Sequence, residues 1–240
     1  MKSHLFQIKF FAFITLLLFI CASCAQDPDP SGTLPDSSPV SYLALGDSYT
    51  IGTGIDTVSN YPHLLSDSLA SRGFTVDTTA VIATNGWTTT DLKTGIDSQD
   101  PDSSYNLVSL LIGVNNQYQG LDLELYRTEF RELLDQAIAF AGGNRSNVFV
   151  ISIPNYGVTP FGQSRNPVII RQELQVYNDI AKEITTEFNI PFVDVTPISE
   201  LGAEDSSLIA PDNLHPSAKM YAMWVDEMLP TVTQILDQND

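Results

Sequence analysis

From Val40 onward, short apolar runs alternate with segments of helical periodicity, and this alternation restricts the fold more than any other feature of the sequence. The apolar runs are nearly continuous, which is typical of strands covered on both faces of a sheet. They lie at Val40–Leu45, Thr75–Ile82, Leu107–Gly113, Asn147–Ile153 and Pro191–Val195. Helical patterns lie at Tyr61–Arg72, Thr89–Ile96, Leu123–Ala141, Val168–Phe188 and Pro216–Leu236. Five β/α units predict a single α/β domain over residues 40–240.

We expect this domain to be doubly wound, with one five-stranded parallel sheet and helices on both faces. The expected strand order is 2-1-3-4-5, as in flavodoxin-like folds. In such sheets ligands bind outside the carboxyl ends of the strands, at the point where the strand order reverses. Reactive residues should therefore come directly after strands. Pro216 is expected in the first turn of the last helix, where a missing N–H costs little.

The first two dozen residues are expected to be a targeting signal rather than part of the fold. The apolar run Phe10–Ile20 is too short for a membrane-spanning helix and is typical of a signal peptide, 1–23. Its end, Ile20-Cys21-Ala22-Ser23-Cys24, resembles a bacterial lipoprotein processing site, which implies lipidation of Cys24 and anchoring in the cell envelope. Ordinary cleavage after a small residue, with Cys24 left as a thiol, is the alternative. The Pro- and Ser-rich, acidic segment 24–39 is expected to be a flexible linker.

Charge and cysteine content exclude several classes of function. Eleven Lys and Arg against 29 Asp and Glu give a net charge of −18, so a nucleic-acid partner is not expected. The only cysteines are Cys21 and Cys24, which leaves the folded part without disulfides, thiolate zinc sites or a cysteine nucleophile. We expect no metal and no organic cofactor, and we expect a monomer.

Two of the three histidines lie beyond the signal, and only one has a promising setting for acid–base chemistry. His63 follows Pro62 inside a helical pattern, so a structural role is expected for it. His215 follows Asp212 by three residues, before the last helix. An Asp at this spacing can hold the imidazole in one tautomer, although the same pattern often only caps a helix.

Ser48 comes directly after the first strand, where this fold places its chemistry. A βα turn capped by Asp47 or Ser48 would give the same pattern. Gly86, after the second strand, offers an open backbone N–H, and Asn115, after the third, offers a side-chain amide for developing negative charge. Both residues also occur in ordinary turns.

The combination resembles the GDSL, or SGNH, hydrolase superfamily, from Val40 to the end of the chain. The matching blocks are Gly46-Asp47-Ser48, Gly86, Gly113-x-Asn115 and Asp212-x-x-His215, and Ile153–Pro160 resembles the loop after the fourth strand in bacterial members. Asn116 departs from the pattern, since the third block usually has Asp there.

The resemblance implies a serine esterase that hydrolyses acyl or acetyl esters of carbohydrate or lipid. Ser48 would be the nucleophile, His215 the base and Asp212 the residue that orients it, with an oxyanion hole formed by Ser48, Gly86 and Asn115. Near the strand ends, candidate substrate-pocket residues are aromatic: Tyr49, Trp87, Tyr118 and Tyr156, with Phe161 close by. Because such rings also stack on sugars, a catalytically inactive glycan-binding lipoprotein on the same fold is the alternative.

Overall fold

The computed structural model describes residues 38–101 and 104–238. The predicted signal peptide 1–23, the lipidation candidate Cys24 and residues 24–37 of the predicted linker lie outside the described residues. Within the described ranges, no helix combines the length and the apolar character that crossing a bilayer requires.

The centre of the fold is one five-stranded sheet in which every neighbouring pair is parallel. The strands are β1 Val40–Gly46, β2 Val76–Ala83, β3 Leu107–Leu111, β4 Val148–Ile151 and β5 Phe192–Val193. Their order is 2-1-3-4-5, which confirms the prediction. The third strand ends two residues before its predicted limit, because Gly113 adopts a φ of +125° that extended backbone does not allow.

Long helices connect the strands, and short ones occupy the loops. The helices are α1 Ser48–Ile51, α2 Tyr61–Ala70, α3 Thr89–Gln99, α4 Val114–Tyr118, α5 Leu123–Phe140, α6 Pro160–Gln163, α7 Pro167–Phe188, α8 Thr196–Glu200 and α9 Ala218–Asp237. Short 3₁₀ turns add Thr57–Ser59, Arg145–Asn147, Tyr156–Val158, Leu201–Ala203 and Ser206–Leu208.

The helices form two layers. On one side α2 packs against α9, and on the other α3 packs against α5 and α5 against α7. Right-handed crossovers explain this division, because the chain first moves from β1 to the edge strand β2 and then reverses across β1 to β3. With both faces covered, every residue of β3 and β4 is buried. The reversal point therefore lies between β1 and β3.

The start of the last helix differs from the prediction. Helix α9 begins at Ala218 with Ser217 as its N-cap, whose hydroxyl accepts a hydrogen bond from the Met220 N–H. Pro216 lies before the helix and forms an antiparallel bridge with Ile209. The prediction for Pro216 was wrong because the backbone here pairs with the preceding segment, and this pairing shapes the loop that carries His215.

Candidate active site

Three strands end level with one another, and their carboxyl ends bring the first three sequence blocks together. Gly46 at the end of β1 pairs with Ala83 of β2 and with Leu111 of β3. Ser48 follows the first of these ends by two residues, and the loops with Gly86 and Asn115 follow the other two. This edge is the reversal point of the sheet, where the sequence placed the site.

Ser48 stands at the first position of helix α1, on a sharp turn after β1. Its side chain is buried to 4% exposure and lines a pocket that also contains His215. Among the described residues the Ser48 hydroxyl has no hydrogen-bond partner, and its oxygen is not fully enclosed by protein atoms. The hydroxyl is thus accessible from the pocket.

Asp47 stabilises the turn that precedes Ser48. It is fully buried, and its Oδ1 accepts a hydrogen bond from the Tyr49 N–H at 3.0 Å, so it is the N-cap of α1. Its Oδ2 has no partner among the described residues. Burial raises the pKa of Asp47 from 3.8 to about 7, with the Tyr49 N–H acting in the opposite direction.

His215 and Asp212 are joined by two hydrogen bonds. The His215 Nδ1 lies 2.6 Å from Asp212 Oδ2, and the His215 backbone N–H donates to Oδ1 at 3.0 Å. Burial acts to raise the pKa of Asp212, but hydrogen bonds from the His215 backbone and ring and from the Leu214 N–H together lower it below its ordinary value. An ionised carboxylate therefore faces the imidazole and fixes its orientation.

The loop around this pair is shaped by its backbone. The Ala210 N–H donates to the His215 carbonyl at 2.7 Å, and the Ser217 N–H donates to the Leu208 carbonyl at 2.9 Å. Asn213, at the tip, has a φ of +66°, a conformation that Asn tolerates better than most residues. These bonds present the His215 ring to the pocket, edge-on to the Tyr49 ring at 5.4 Å between centroids.

The two other candidate donors come from adjacent loops that hold each other. The Asn115 Nδ2 donates to the Trp87 carbonyl at 2.8 Å, which fixes its amide beside the loop of Gly86. Gly86 has a φ of +85°, and nothing lies within 4 Å of where a Cβ would stand, so its backbone is open on that side. Within the described ranges, the second amide hydrogen of Asn115 has no partner, so it can meet a ligand.

The pocket has a volume of about 140 Å³. It is lined by Ser48, Tyr49, Asn85, Val114, Asn115, Tyr118, Tyr156, Phe161, Leu214 and His215. Three of the four predicted aromatic pocket residues are thus present. Trp87 is not among the lining residues, because its ring packs on Gly95 of α3, where even a Cβ would lie 2.2 Å from the indole.

Comparison with known families agrees with this geometry. Residues 44–223 match the model of the GDSL-like lipase/acylhydrolase family. The chain belongs to the GDSL-like lipase/acylhydrolase family. It is accordingly a carboxylic ester hydrolase of this type. No curated protein matches the chain.

Solved structures with the same fold share little sequence with this GDSL-like hydrolase. One is TesA, 16% identical, with a TM-score of 0.61, covering 81% of this chain and 99% of TesA. Another is a variant of Axe2, an acetyl xylan esterase from Geobacillus stearothermophilus, 21% identical, with a TM-score of 0.61 and coverage of 82% and 95%. The esterase EstA from Pseudoalteromonas sp. is 18% identical, with a TM-score of 0.59 and coverage of 82% and 98%. At these identities the likeness shows the fold.

The sequence does not predict two features of the hydrolase's site. Gly54 packs against the Asp212 carboxylate, since a Cβ on it would lie 2.6 Å from Oδ2. The Tyr156 hydroxyl donates to the Gln117 Oε1 at 3.0 Å, and the Gln117 amide donates to Glu173 at 2.6 Å, so the pocket wall is tied to α7. A glycine shortly after Ser48 was the only sequence signal for the first, and nothing local indicated the second.

His63 lies apart from the pocket. Its Nδ1 lies 2.7 Å from the Oδ1 of Asn60, the N-cap of α2, as expected of a structural residue. Within the described ranges, no group of three or more His, Cys, Asp or Glu side chains is arranged to hold a metal ion.

Proposed function

We propose that this GDSL-like enzyme is a serine esterase that uses Ser48, His215 and Asp212. The observation that carries the proposal is one pocket lined by Ser48 and by a His215 whose Nδ1 is held 2.6 Å from the Asp212 carboxylate. A serine hydroxyl needs such a base to become a useful nucleophile. The free Nε2 edge of the imidazole is the part available to take its proton.

The reaction follows from this arrangement. Ser48 Oγ attacks the ester carbonyl while His215 takes the hydroxyl proton, and the Asp212 carboxylate stabilises the imidazolium. The N–H groups of Ser48 and Gly86 and the amide of Asn115 stabilise the oxyanion of the tetrahedral intermediate. His215 then protonates the leaving alcohol. A water molecule, deprotonated by His215, cleaves the acyl-enzyme and restores Ser48.

The substrate in this proposal carries a short acyl group. The pocket volume of about 140 Å³ is well below the roughly 300–1,000 Å³ of pockets that hold drug-sized ligands. The Tyr118 ring at this pocket is 48% exposed and offers an aromatic surface to a sugar face. The neighbouring Phe161 ring is tilted by 39° to it and lies under the Arg165 guanidinium, 3.7 Å from the ring centroid. Acetylated carbohydrate is therefore the favoured class, and the structural likeness to an acetyl xylan esterase agrees with it.

The test uses p-nitrophenyl esters of increasing chain length, with acetylated xylan alongside. We expect kcat/KM to be highest for acetyl or butyryl esters and to fall for octanoyl and longer esters. Ser48→Ala and His215→Ala should each lower kcat by about 10,000-fold or more.

The chain contains its own control for the histidine. His63→Ala removes an imidazole that also contacts a side-chain oxygen three residues earlier, and we expect it to change stability modestly and leave hydrolysis within about threefold of wild type. Wild-type turnover in both Ser48→Ala and His215→Ala would refute the assignment. An inert wild-type protein that binds xylan would instead support the glycan-binding alternative.

We further propose that this esterase is a monomer in the cell envelope of a bacterium, anchored through a diacylated Cys24. Its basis is the processing-site pattern in the sequence. Metabolic labelling with an alkynyl fatty acid should mark the wild-type protein and not Cys24→Ser. Equal labelling of both proteins, or of neither, would refute the anchor. Size-exclusion chromatography with light scattering tests the monomer.

A further inference from the structure

A buried carboxylate on α5 lies outside the pocket and has no part in the proposed mechanism. Glu129 is 6% exposed and lies on the helix face that packs on the core. Its oxygens accept hydrogen bonds from the hydroxyls of Thr89, at 2.6 Å, and Thr90, at 2.8 and 2.9 Å, and Lys93 Nζ lies 3.7 Å away. Burying a carboxylate carries a large desolvation cost, which its hydrogen bonds must offset. Such charge-assisted hydrogen bonds are strong, so they fix the positions of their donors.

The Thr89 hydroxyl connects this carboxylate to Asn116. The Asn116 Nδ2 donates to Thr89 Oγ1 at 2.7 Å, and the Thr89 backbone N–H donates to Asn116 Oδ1 at 3.0 Å. The backbone N–H fixes which end of the Asn116 amide is the acceptor. Because the Thr89 hydroxyl has a single proton and gives it to Glu129, the hydrogen bonds run in one direction, from Asn116 through Thr89 to Glu129.

These bonds join the two segments that carry the proposed oxyanion donors. Thr89 begins α3 directly after the loop of Gly86, and Asn116 follows Asn115 in α4. Asn115 itself donates to the Trp87 carbonyl at 2.8 Å. Asn115 and Asn116 therefore bind the Gly86 loop at two residues, Trp87 and Thr89, which lie on either side of Thr88.

We propose that Glu129, Thr89 and Asn116 are positioning residues that set the separation of the Gly86 N–H and the Asn115 amide. In this chain α5 supplies the carboxylate that the third block of GDSL-type sequences usually carries at the position of Asn116. The inference rests on the proposed esterase mechanism, since it concerns the oxyanion hole.

The direction of the hydrogen bonds makes a specific prediction. Asn116→Asp alone would place a second carboxylate against the Thr89 hydroxyl, whose one proton cannot serve both. The carboxylates of Glu129 and of the new Asp would then both contact the buried Thr89 Oγ1. Their repulsion would push apart the loop that carries Gly86 and the segment that carries Asn115. Adding Glu129→Gln removes this conflict, because the Gln amide can donate to Thr89 and Thr89 can donate to the new Asp, so the chain of bonds runs in reverse.

The experiment compares wild type, Asn116→Asp, Glu129→Gln and the double variant. For each we would measure kcat and KM with p-nitrophenyl acetate, the Ki of a boronic acid that forms a tetrahedral adduct, and Tm. We expect Asn116→Asp to lower kcat by about 10- to 100-fold, the usual cost of an active-site misplacement near 1 Å, with KM little changed. The Ki should rise by a similar factor, and the double variant should recover to within about threefold of wild type. A double variant no better than Asn116→Asp, or an unimpaired Asn116→Asp, would overturn the proposal.

A second pair of variants keeps the test decisive if Asn116→Asp does not fold. Thr89→Val removes the hydroxyl at nearly constant volume, whereas Thr89→Ser keeps it. We expect the kcat and boronate effects in Thr89→Val and near-wild-type values in Thr89→Ser, and equal values for the two would refute the role. Glu132→Gln is the matched control, one turn further along α5 at an exposed carboxylate that pairs with Lys93. An active wild type with unaffected variants would refute this inference alone, whereas an esterase whose turnover survives Ser48→Ala would refute the proposed function.

Discussion

Asp47→Asn should make the protein more stable at high pH, although Asp47 lies next to the proposed nucleophile. Asp47 is fully buried, and burial raises its pKa from 3.8 to about 7. Between pH 3.8 and about pH 7, Asp47 keeps its proton in the folded protein but releases it in the unfolded chain. The free energy of unfolding therefore falls as pH rises through this window and levels off above pH 7. Across this pH window the free energy of unfolding should fall by about 4 kcal/mol.

Asn is a close mimic of the protonated acid. Its oxygen can keep the hydrogen bond from the Tyr49 N–H, and its amide places a donor where the acid proton would be. The variant therefore removes the ionisation while changing the local packing little. All other carboxylates titrate equally in the two proteins, so the difference between them isolates Asp47.

The assay is urea unfolding of both proteins, followed by tryptophan fluorescence, since Trp224 is fully buried. At about pH 4 the two free energies of unfolding should nearly coincide. At about pH 8 the variant should be more stable by up to about 4 kcal/mol. A difference that stays constant across this range would refute the argument that Asp47 is held uncharged by burial.

Two further predictions concern the residue that orients His215. Asp212→Asn should lower kcat by about 10,000-fold, because it favours the wrong imidazole tautomer. The pKa of Asp212 lies below 3.8, so its carboxylate stabilises the wild-type fold above that pH, and this stabilisation is lost as the pH falls. The variant should lack this stabilisation, which unfolding at several pH values measures. Gly54→Ala should lower both kcat and Tm, since its Cβ would lie 2.6 Å from the Asp212 carboxylate and its φ is +89°. Gly143→Ala, at a φ of +81° with open space around it, carries only the backbone cost, so equal kcat values in the two variants would contradict the steric argument.

The strands of the sheet could be predicted from the sequence, because they are buried on both faces and therefore form nearly continuous apolar runs. The strand order and the position of Ser48 at the end of β1 were predicted correctly. The edge strand β5 was predicted too long, at Pro191–Val195 against the observed Phe192–Val193. Its single neighbour, β4, is paired over only two residues, so the apolar pattern continues past the hydrogen-bonded part.

Contacts between residues distant in sequence account for what was missed. Pro216 pairs with Ile209 in a loop whose shape no local pattern encodes. Trp87 was expected in the pocket as an aromatic residue near a strand end, but the absence of a side chain at Gly95 lets the ring pack on α3. Glu129 interrupts the apolar face of α5, and a charged residue on a buried face was the one signal of the network that binds Thr89.

In the proposed mechanism, the His215–Asp212 pair activates Ser48 in the pocket. Treatment with a fluorophosphonate, followed by mass-spectrometric mapping of the modified peptide, tests this activation. We expect one adduct, on Ser48, formed at the wild-type rate in His63→Ala and much more slowly in His215→Ala. An adduct on another residue in an active enzyme, or labelling of Ser48 that His215→Ala does not slow, would contradict it.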